Sequence, residues 1–315
     1  MRRNQKLRRS GSVLILSLWA LLLLSAALFA WLKYINQSIA VTGQRNNGLE
    51  AKALAHSGVM VALNQQVTLQ TPLLNQQLAT DRGYKVQMSG EGGRLDLNWI
   101  FALTQAGVPA DQGRVGIFMT YLQRRGLNIQ QQNRLRDCIL DWLTPGNIPR
   151  LNGAKAEGSY QPPGRGSFVS VEELALVKGS QPLVSQAGWE DDFTIFSPKQ
   201  GVELQSASLR ILECLPGIGE SNAVRFLKVR QGPDGIDGTA DDHAFANTAE
   251  ALSTLGVAPG SAQAAALGNY ANIENPPLSV VHIKSTGQCG NVYRNVEVVA
   301  KKQGMQPIIL SWKES

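Results

Sequence analysis

The segment from Ser12 to Leu32 limits what this chain can fold into more than any other feature. Its last twenty residues, Val13–Leu32, carry no formal charge. A helix of that length spans ~30 Å, the thickness of the hydrocarbon core of a bilayer. Five basic residues precede the segment, and Lys33 is the first charge after it. The positive-inside rule therefore predicts a single membrane pass, with the N-terminus in the cytoplasm and the bulk of the chain on the other side.

The sequence leaves three fates open for this apolar segment. A cleaved secretory signal has a shorter apolar core, of ~7–15 residues, and a cleavage site that the region near Ala30 matches poorly. A plain signal anchor would keep the segment whole. The third fate is cleavage on the cytoplasmic side, between Gly11 and Ser12, which leaves the helix at a new N-terminus. We favour the third, because a basic leader that ends in glycine and runs directly into an apolar helix is the arrangement of type IV prepilins.

Beyond the leader the chain is close to neutral. The formal net charge is +6, but the first eleven residues hold five of the 30 Lys and Arg and none of the 24 Asp and Glu. The basic balance is therefore a topology signal and not an anion-binding surface. The three histidines are scattered, and no serine-hydrolase, zinc-protease or P-loop motif occurs. We expect a protein that is not an enzyme and holds no organic cofactor.

The cysteines do not form a recognisable metal motif. Their number is odd and their spacing matches no zinc pattern. Cys138 and Cys214 stand in apolar helical stretches, which favours small buried side chains. These two and Cys289 would lie outside the cytoplasm, where disulfides persist, so the sequence leaves their disulfide state open.

The N-terminal helix is expected to continue well past the membrane. No proline occurs before Pro72, so the helix is predicted to reach about Leu69. The alternative is an anchor followed by a separate helix. A small apolar face recurs at helical spacing over the second half: Ala51, Ala55, Val59, Ala62 and Leu63.

Strand patterns flank a long helical region. Alternation predicts a hairpin in which Tyr84–Met88 turns at Gly90–Gly93 into Leu95–Trp99. Three more strands are predicted at the end of the chain: Leu278–Lys284, Val292–Val299 and Pro307–Trp312. A short strand is expected at Phe193–Phe196. The predicted helices are Gln130–Leu143, Val171–Val177 with a capping box of Ser170 and Glu173, Ser206–Leu215, Glu220–Arg230, Thr248–Leu255 and Ser261–Leu267.

This order predicts an α+β fold, in which a type IV pilin-like long N-terminal helix packs on an antiparallel sheet. A large all-α insertion, of helix-hairpin-helix or SAM-like type, interrupts the sheet. The predicted divisions are a cytoplasmic leader (1–11), the transmembrane half of the helix (12–32), the pilin-like helix and first strands (33–104), the insertion (105–275) and the last strands (276–315).

The segment from Leu215 to Glu220, LPGIGE, has the form of the turn in a helix-hairpin-helix. Its two glycines permit a tight turn, and the N-terminus of the following helix, Glu220–Arg230, can hold a phosphate. The same hairpin also serves as plain scaffolding. We favour scaffolding, because the chain beyond the leader is nearly neutral and is expected to lie outside the cytoplasm.

An acidic loop gathers four carboxylates among glycines. Flexible oxygen-rich loops suit Ca²⁺, which takes 6–8 oxygen ligands in adaptable geometry, although the spacing is not that of an EF-hand. The alternative is that the loop is a solvated acidic turn and not a metal site. The candidate calcium ligands are Asp234, Asp237, Asp241 and Asp242.

Taken together, the motifs resemble the K-type minor pseudopilins (GspK) of the bacterial type II secretion system over nearly the full chain. They are RRSG before SVLILSLWALLLL, then GGRLDLNW, DCILDWL, SVEELALV, LECLPGIG, GPDGIDGTADD and ILSWKE. The resemblance implies cleavage by the prepilin peptidase after Gly11 and methylation of the new N-terminus at Ser12. Most pilins have a glutamate at the position of Leu16. The K type resembles this chain in lacking that glutamate.

The resemblance implies a minor pseudopilin at the tip of the periplasmic pseudopilus, which initiates or caps its assembly. The implied partners are the I-type and J-type minor pseudopilins, the major pseudopilin, the prepilin peptidase, the inner membrane, and the secretin or an exoprotein substrate. Nucleic acid is not an expected partner. Two alternatives remain: a membrane-anchored DNA-binding protein that uses the hairpin, and a minor pilin of a type IV pilus.

Overall fold

The computed structural model describes residues 7–237, 241–274, 278–302 and 306–315, and for residues 7–12 and Ala40 it describes the backbone alone. Within these ranges the helices are α1 (Leu7–Leu63), α2 (Leu97–Ile100), α3 (Gln112–Arg124), α4 (Ile129–Leu143), α5 (Gln181–Val184), α6 (Leu209–Leu212), α7 (Glu220–Arg230), α8 (Thr248–Thr254) and α9 (Ala262–Leu267). The strands are β1 (Asn75–Ala79), β2 (Arg82–Gly90), β3 (Leu95–Asp96), β4 (Phe193–Thr194), β5 (Val202–Glu203), β6 (Ala271–Asn272), β7 (Val280–Cys289), β8 (Val292–Lys301) and β9 (Ile308–Glu314).

The N-terminal helix α1 is continuous over 57 residues, which confirms the long helix over the alternative of two separate ones. It ends at Leu63 and not near Leu69. The side-chain oxygen of Asn64 accepts the backbone N–H of Gln66 at 2.9 Å, and this local bond replaces the next turn of helix. The chain then folds back, so that Val67 is buried in the core beneath the helix.

Helix α1 packs on one face of a five-stranded antiparallel sheet with the order β1-β2-β7-β8-β9. The small apolar face predicted for α1 is buried against the sheet. The strands contribute alternate residues to this core, as the period of two requires. Its buried members are Ala55, Val59, Ala62, Leu63, Val67, Leu74, Val86, Val281, Ile283, Val296, Val298 and Ala300.

The predicted hairpin between Tyr84–Met88 and Leu95–Trp99 is wrong. Strand β2 pairs instead with the preceding strand β1 and with β7. After Gly90 the chain leaves the sheet, and Asp96 caps α2 by accepting the backbone N–H groups of Asn98 and Trp99. The apolar side chains of Leu95–Phe101 therefore enter the core of the insertion, where alternation and helical spacing are hard to tell apart over so few residues.

The insertion emerges from the end of the sheet that lies farthest from the apolar half of α1. Near the start of the contact, Cys289 of β7 lies beside Asn47 and Glu50 of the helix. At the opposite end of the same strand, Val281 pairs with Gly90, and the backbone N–H of Lys302 there bonds to the Ser279 carbonyl. The side chain of Lys302 reaches the carbonyl of Val67, just past the end of α1. The chain thus leaves and re-enters the sheet at the C-terminal end of the helix.

The insertion has its own large hydrophobic core, around Phe101, Phe118, Tyr121 and Phe193. Helices are the main regular elements of the insertion, as predicted, but long loops join them. Two short parallel strand pairs, β3 with β4 and β5 with β6, accompany the helices, so the insertion is not all-α. Residues Val171–Leu176 form a 3₁₀ turn and not an α-helix. The predicted capping box is absent there, because Glu173 accepts the N–H of Val169 and pairs with Arg165.

Candidate functional site

The first half of α1 presents apolar side chains on every side. The large hydrophobic residues between Val13 and Leu32 are 55–74% exposed. This is the helix in the described chain that is long and apolar enough to cross a membrane. Serines within it are satisfied locally: Ser17 and Ser25 donate to the carbonyls of Leu14 and Leu21. No polar group in this stretch therefore opposes burial in lipid or against other apolar helices.

The predicted processing site lies at the start of this helix. The backbone of Gly11 and Ser12 is helical and continuous with the apolar segment. Leu16 projects outward and is 69% exposed. Cleavage after Gly11 and methylation of Ser12 stay predictions.

The second half of α1 is tied to the sheet by ion pairs as well as by apolar contacts. Lys52 and His56 both lie within 3 Å of the carboxylate of Glu314 on β9, at 2.6 and 2.9 Å. Arg82 at the start of β2 pairs with Glu50 at 3.0 Å. All of these groups are substantially exposed, so each pair contributes little stability, ~0–1 kcal/mol, and mainly fixes orientation.

A buried polar cluster joins the insertion to the outer face of the sheet. His282 of β7 lies between two carboxylates, with Nδ1 3.0 Å from Glu91 and Nε2 2.5 Å from Glu297. The hydroxyl of Thr194, on β4 of the insertion, donates to the other oxygen of Glu91. The hydrogen bond from His282 lowers the pKa of Glu297 to about 2. Burial opposes ionisation of Glu91, but the contacts with His282 and Arg94 still lower its pKa.

More exposed charges complete this junction. Two lysines of the sheet, Lys284 on β7 and Lys313 on β9, pair with Asp191 and Glu172 of the insertion. A cavity of about 630 Å³ lies between the two surfaces. In these two pairs the sheet supplies the cations and the insertion supplies the anions, so the paired groups are electrostatically complementary. Sequence reasoning missed this junction, because no local motif links residues that lie about 100–190 positions apart.

The acidic loop is only partly arranged as a cation site would require. Asp237 is committed to Arg230, whose Nε and Nη2 donate to its two oxygens at 3.0 Å each. Arg230 is itself buried and also donates to the carbonyls of Leu204 and Ala207. The carboxylate of Asp241 accepts the backbone N–H of Asp234 at 3.2 Å. The loop therefore brings the backbone of Asp234 to the carboxylate of Asp241, while the carboxylate of Asp237 is held by Arg230.

A Cβ on residue 232 would lie 2.5 Å from the carbonyl oxygen of Asp241 and 2.6 Å from one of its carboxylate oxygens. Gly232 thus leaves room for two oxygens to face the start of the loop. Asp242 lies beside them in the chain. Within the described residues no three His, Cys, Asp or Glu side chains converge as a metal centre requires. The calcium site predicted at Asp234, Asp237, Asp241 and Asp242 stays a prediction.

The helix-hairpin-helix forms as predicted, between α6 and α7. Gly217 has a positive φ of 72°, and Gly219 is the N-cap of α7. The side-chain amide of Gln263, on α9, donates to the carbonyl of Gly217 at 3.3 Å. The turn is therefore covered by another helix, and Glu220 places a negative charge in the first turn of α7. Both features favour scaffolding over phosphate binding.

All three cysteines, Cys138, Cys214 and Cys289, are free and buried. Burial raises the pKa of Cys138 to about 11 and that of Cys214 to about 12. Neither thiol is reactive at neutral pH, because the thiolate is the nucleophile. These two act as small apolar side chains of the insertion core.

No protein-family model matches the sequence, and no curated protein matches it. Among solved structures, a chain of the crystal structure of the GspK-GspI-GspJ complex from the enterotoxigenic Escherichia coli type 2 secretion system is similar, with a TM-score of 0.58 and 13% identity. The match covers 90% of this chain and 99% of that chain. The chain described here therefore has the α+β fold of a component of the GspK-GspI-GspJ complex.

Proposed function

We propose that this chain is a K-type minor pseudopilin, which occupies the tip of a type II secretion pseudopilus and initiates or caps its assembly. The observation that carries the proposal is the position of the insertion. It leaves the sheet beside the C-terminus of α1, at the opposite end from the exposed apolar half of that helix. The matched fold, from a complex of GspK with GspI and GspJ, supports the same assignment.

The apolar half of α1 supports a subunit that is held in the membrane first and is then assembled into the filament. Before assembly, lipid covers side chains such as Leu22 and Phe29, which are exposed in the single chain. In a filament, the same side chains pack against the helices of neighbouring subunits. The gain per fully buried large side chain is about 1.5–3 kcal/mol in water, but between lipid and protein it comes from close packing.

The leucine at position 16 supports a place for this chain at the tip of the filament, where no subunit lies above it. As the resemblance implies, most pilins have a glutamate at this position, and its carboxylate pairs with the N-terminal amine of a neighbouring subunit. A tip subunit lacks that neighbour, so a carboxylate there would be buried without a partner, at a cost of several kcal/mol. A leucine avoids that cost. Leu16→Glu is therefore expected to assemble no better than the parent chain, and worse if the position is fully apolar.

The insertion supports a capping role by its size. The described residues between 91 and 279 form a body with its own core, and ion pairs join this body to the outer face of the sheet. A second subunit stacked above would have to displace this body or bypass it. The chain accordingly acts as an assembly protein and not as an enzyme, with its bulk in the periplasm and its N-terminus in the cytoplasm.

The proposal is tested by co-purification. The full-length chain, tagged at its C-terminus, is expressed with the I-type and J-type minor pseudopilins of the same bacterium and extracted in mild detergent. We expect the three proteins to elute as one complex. Elution of the tagged chain alone, at concentrations where it is folded, would contradict the assignment.

A matched variant separates the contribution of the insertion. Gly90 pairs with Val281 in the sheet, so residues 91–279 can be replaced by a short glycine-containing turn between β2 and β7. This variant is expected to insert in the membrane and to lose its block on further growth of the filament. If it still blocks growth as well as the intact chain, bulk is not the capping mechanism.

The alternatives are weaker. A DNA-binding role would use the hairpin, but Gln263 covers its turn and Glu220 opposes a phosphate at α7. DNA affinity that falls steeply with salt would favour that role over the pseudopilin one. A minor pilin of a type IV pilus is the other alternative, and co-assembly with type IV pilins in place of the I and J types would favour it.

A further inference from the structure

The last strand of the sheet, β9, lies at an edge and begins with exposed apolar residues. It pairs with β8, and no other strand of the described chain lies beside it. Its first three residues, Ile308, Ile309 and Leu310, are 56%, 49% and 37% exposed. Edge strands are commonly blunted by free charges or by a covering element, because a bare edge pairs readily with other chains. The lysine of β9, Lys313, is instead engaged with Glu172 of the insertion. This edge is therefore open to a further strand.

The backbone of β9 offers hydrogen bonds on its free side. Ser315, just after the strand, exchanges both backbone hydrogen bonds with β8, at 3.0 Å each. In an antiparallel pair such bonded positions recur at every second residue, so Lys313 and Ser311 are the next residues of β9 bonded to β8. The N–H and C=O groups of Trp312 and Glu314 therefore point to the free side, where a further strand would meet them.

The free edge borders the cavity of about 630 Å³ between the sheet and the insertion. Strand β9 contributes Leu310, Ser311 and Lys313 to the lining, and the insertion contributes Val169 and Trp189 among others. Val169 is 61% exposed. A strand laid along β9 would turn every second side chain to the face of the sheet that carries Lys313, which is the face on which the cavity lies. Those side chains would enter the cavity.

One carboxylate of the cavity is left for a partner. Glu172 and Asp191, which line the cavity, are paired with Lys313 and Lys284. Glu190 lines the same cavity and is exposed, and it makes no ion pair with any described residue. Burial disfavours the charged form of Lys313, but the carboxylates of Glu172 and Glu190 help to raise its pKa, so Glu190 lies near β9. A basic side chain of a partner would complement this charge.

We propose that β9 and this cavity together bind an extended, basic peptide segment of another protein, which adds antiparallel to β9 as a further strand. The antiparallel direction continues the sheet, in which every neighbouring pair is antiparallel. Backbone hydrogen bonds supply affinity, and the side chains that face the cavity supply selectivity. Apolar side chains suit Val169 and Leu310, and a lysine or arginine suits Glu190. The site does not depend on the pseudopilin assignment.

The test uses the full-length chain in detergent micelles and a synthetic peptide as long as β9, with the sequence Ser-Val-Thr-Lys-Thr-Val-Ser. In an extended conformation its valines and its lysine share one face, and its threonines lie on the other. The peptide carries a fluorophore at its N-terminus, and fluorescence anisotropy measures its binding. We expect saturable binding of one peptide per chain, and no binding to empty micelles.

Methylation of the peptide nitrogens tests whether the backbone pairs with β9. In the proposed arrangement the threonines lie opposite Trp312 and Glu314, so their N–H groups face β9, whereas the N–H groups of the valines face away. N-methylation of both threonines should weaken binding roughly 10-fold or more, because it removes donors and places methyl groups against the edge. N-methylation of both valines is the matched control and should leave the affinity unchanged.

Variants of the chain test the two sources of selectivity. Leu310→Lys should weaken binding several-fold, whereas Leu78→Lys, at a 67% exposed position on the opposite edge strand β1, should not. Glu190→Gln should weaken binding of the lysine peptide roughly 2- to 5-fold, as expected for an exposed ion pair. It should leave unchanged the binding of a peptide with glutamine in place of the lysine. Thermal unfolding checks that each variant keeps the fold, since all three positions are exposed.

Three results would overturn the proposal. The first is binding that N-methylation of the threonines leaves intact, because the backbone of the peptide would then not pair antiparallel with β9. The second is equal loss of binding in Leu310→Lys and Leu78→Lys. The third is the absence of peptide binding together with self-association of the parent chain that Leu310→Lys abolishes, because β9 would then pair with a second copy of this chain.

Discussion

Gly58 of α1 lies directly against Ser285 of β7, so close that a Cβ at residue 58 would overlap the serine hydroxyl. The same added atom would lie 2.8 Å from a methyl of Val86 and 2.9 Å from the ring of Tyr84. Nearer the N-terminus of the helix, Gly287 of β7 lies against the backbone of Ala51 and Ala55, and a Cβ at residue 287 would overlap these backbone atoms. The helix and the sheet therefore meet at backbone distance along the α1–β7 contact.

Gly58→Ala is expected to destabilise the chain by about 1–3 kcal/mol, because the added methyl overpacks this contact. The matched control is Gly43→Ala, also within α1, where an added Cβ meets no atom within 4 Å. That change should stabilise the helix by about 0.5–1 kcal/mol. Thermal unfolding of both variants measures the two effects. A Gly58→Ala chain as stable as Gly43→Ala would contradict the close helix–sheet contact.

The junction around His282 predicts a dependence of stability on acid. The hydrogen bond from His282 lowers the pKa of Glu297 to about 2, from an ordinary value of 4.5. A carboxylate with a lowered folded-state pKa contributes stability that is present above its unfolded pKa and lost as the pH falls through the folded one. Stability should therefore fall between about pH 4.5 and pH 2.

Glu297→Gln should lower the Tm at pH 7 and reduce its fall across that acid range. The exposed Glu220→Gln, which lies away from the junction, serves as the control and should follow the parent curve. Melting curves from pH 7 to pH 2 give both comparisons. If Glu297→Gln and its control show the same acid dependence, the His282 cluster does not contribute to it.

Elements with a strong period were predictable from the sequence. The apolar face Ala51–Leu63 of α1, helix α4, and strands β2, β7, β8 and β9 follow from spacing alone, with ends that differ by a few residues. The hairpin was mispredicted, because Leu95–Trp99 alternates like a strand but is drawn into the insertion core. Strand β1, Asn75–Ala79, was missed because its residues are mostly polar and exposed, so its position is set by pairing with β2.

The candidate sites divide in the same way. Local motifs pointed to the hairpin at Leu215–Glu220 and to the acidic loop, since their residues are close in sequence. They did not show that Asp237 is bound by Arg230, because that contact depends on how α7 packs. The cluster at His282 joins distant segments, so no spacing in one sequence indicates it.

Calcium at the acidic loop is a separate prediction. We expect the Asp234→Ala, Asp241→Ala double variant to bind one calcium ion fewer than the parent chain and to lose that part of the calcium-dependent rise in Tm. Asp237→Ala should instead lower the free energy of unfolding by ~1–2 kcal/mol, and with it the Tm, even in chelator, because it removes the carboxylate that pairs with the buried Arg230. Equal calcium binding by the double variant and the parent would show that the loop is a solvated turn.

Processing of the N-terminus is tested by mass spectrometry of the intact protein from cells that contain a prepilin peptidase. The mature chain is expected to begin at Ser12, with a methyl group on its amine. Gly11→Val should leave the leader attached, because the bulkier residue no longer fits a protease cleft shaped for glycine. A mature chain that begins near Trp31 would instead reveal an ordinary signal peptide.

The central claim, that this chain occupies the tip of the pseudopilus, is tested most directly by its position on the filament. Pseudopili assembled with an epitope placed in the exposed loop near Leu151 can be labelled with gold and viewed by electron microscopy. The account predicts label at one end of each filament, on the parent chain and on a variant that lacks the acidic-loop carboxylates. Label spaced along the filament length would contradict it.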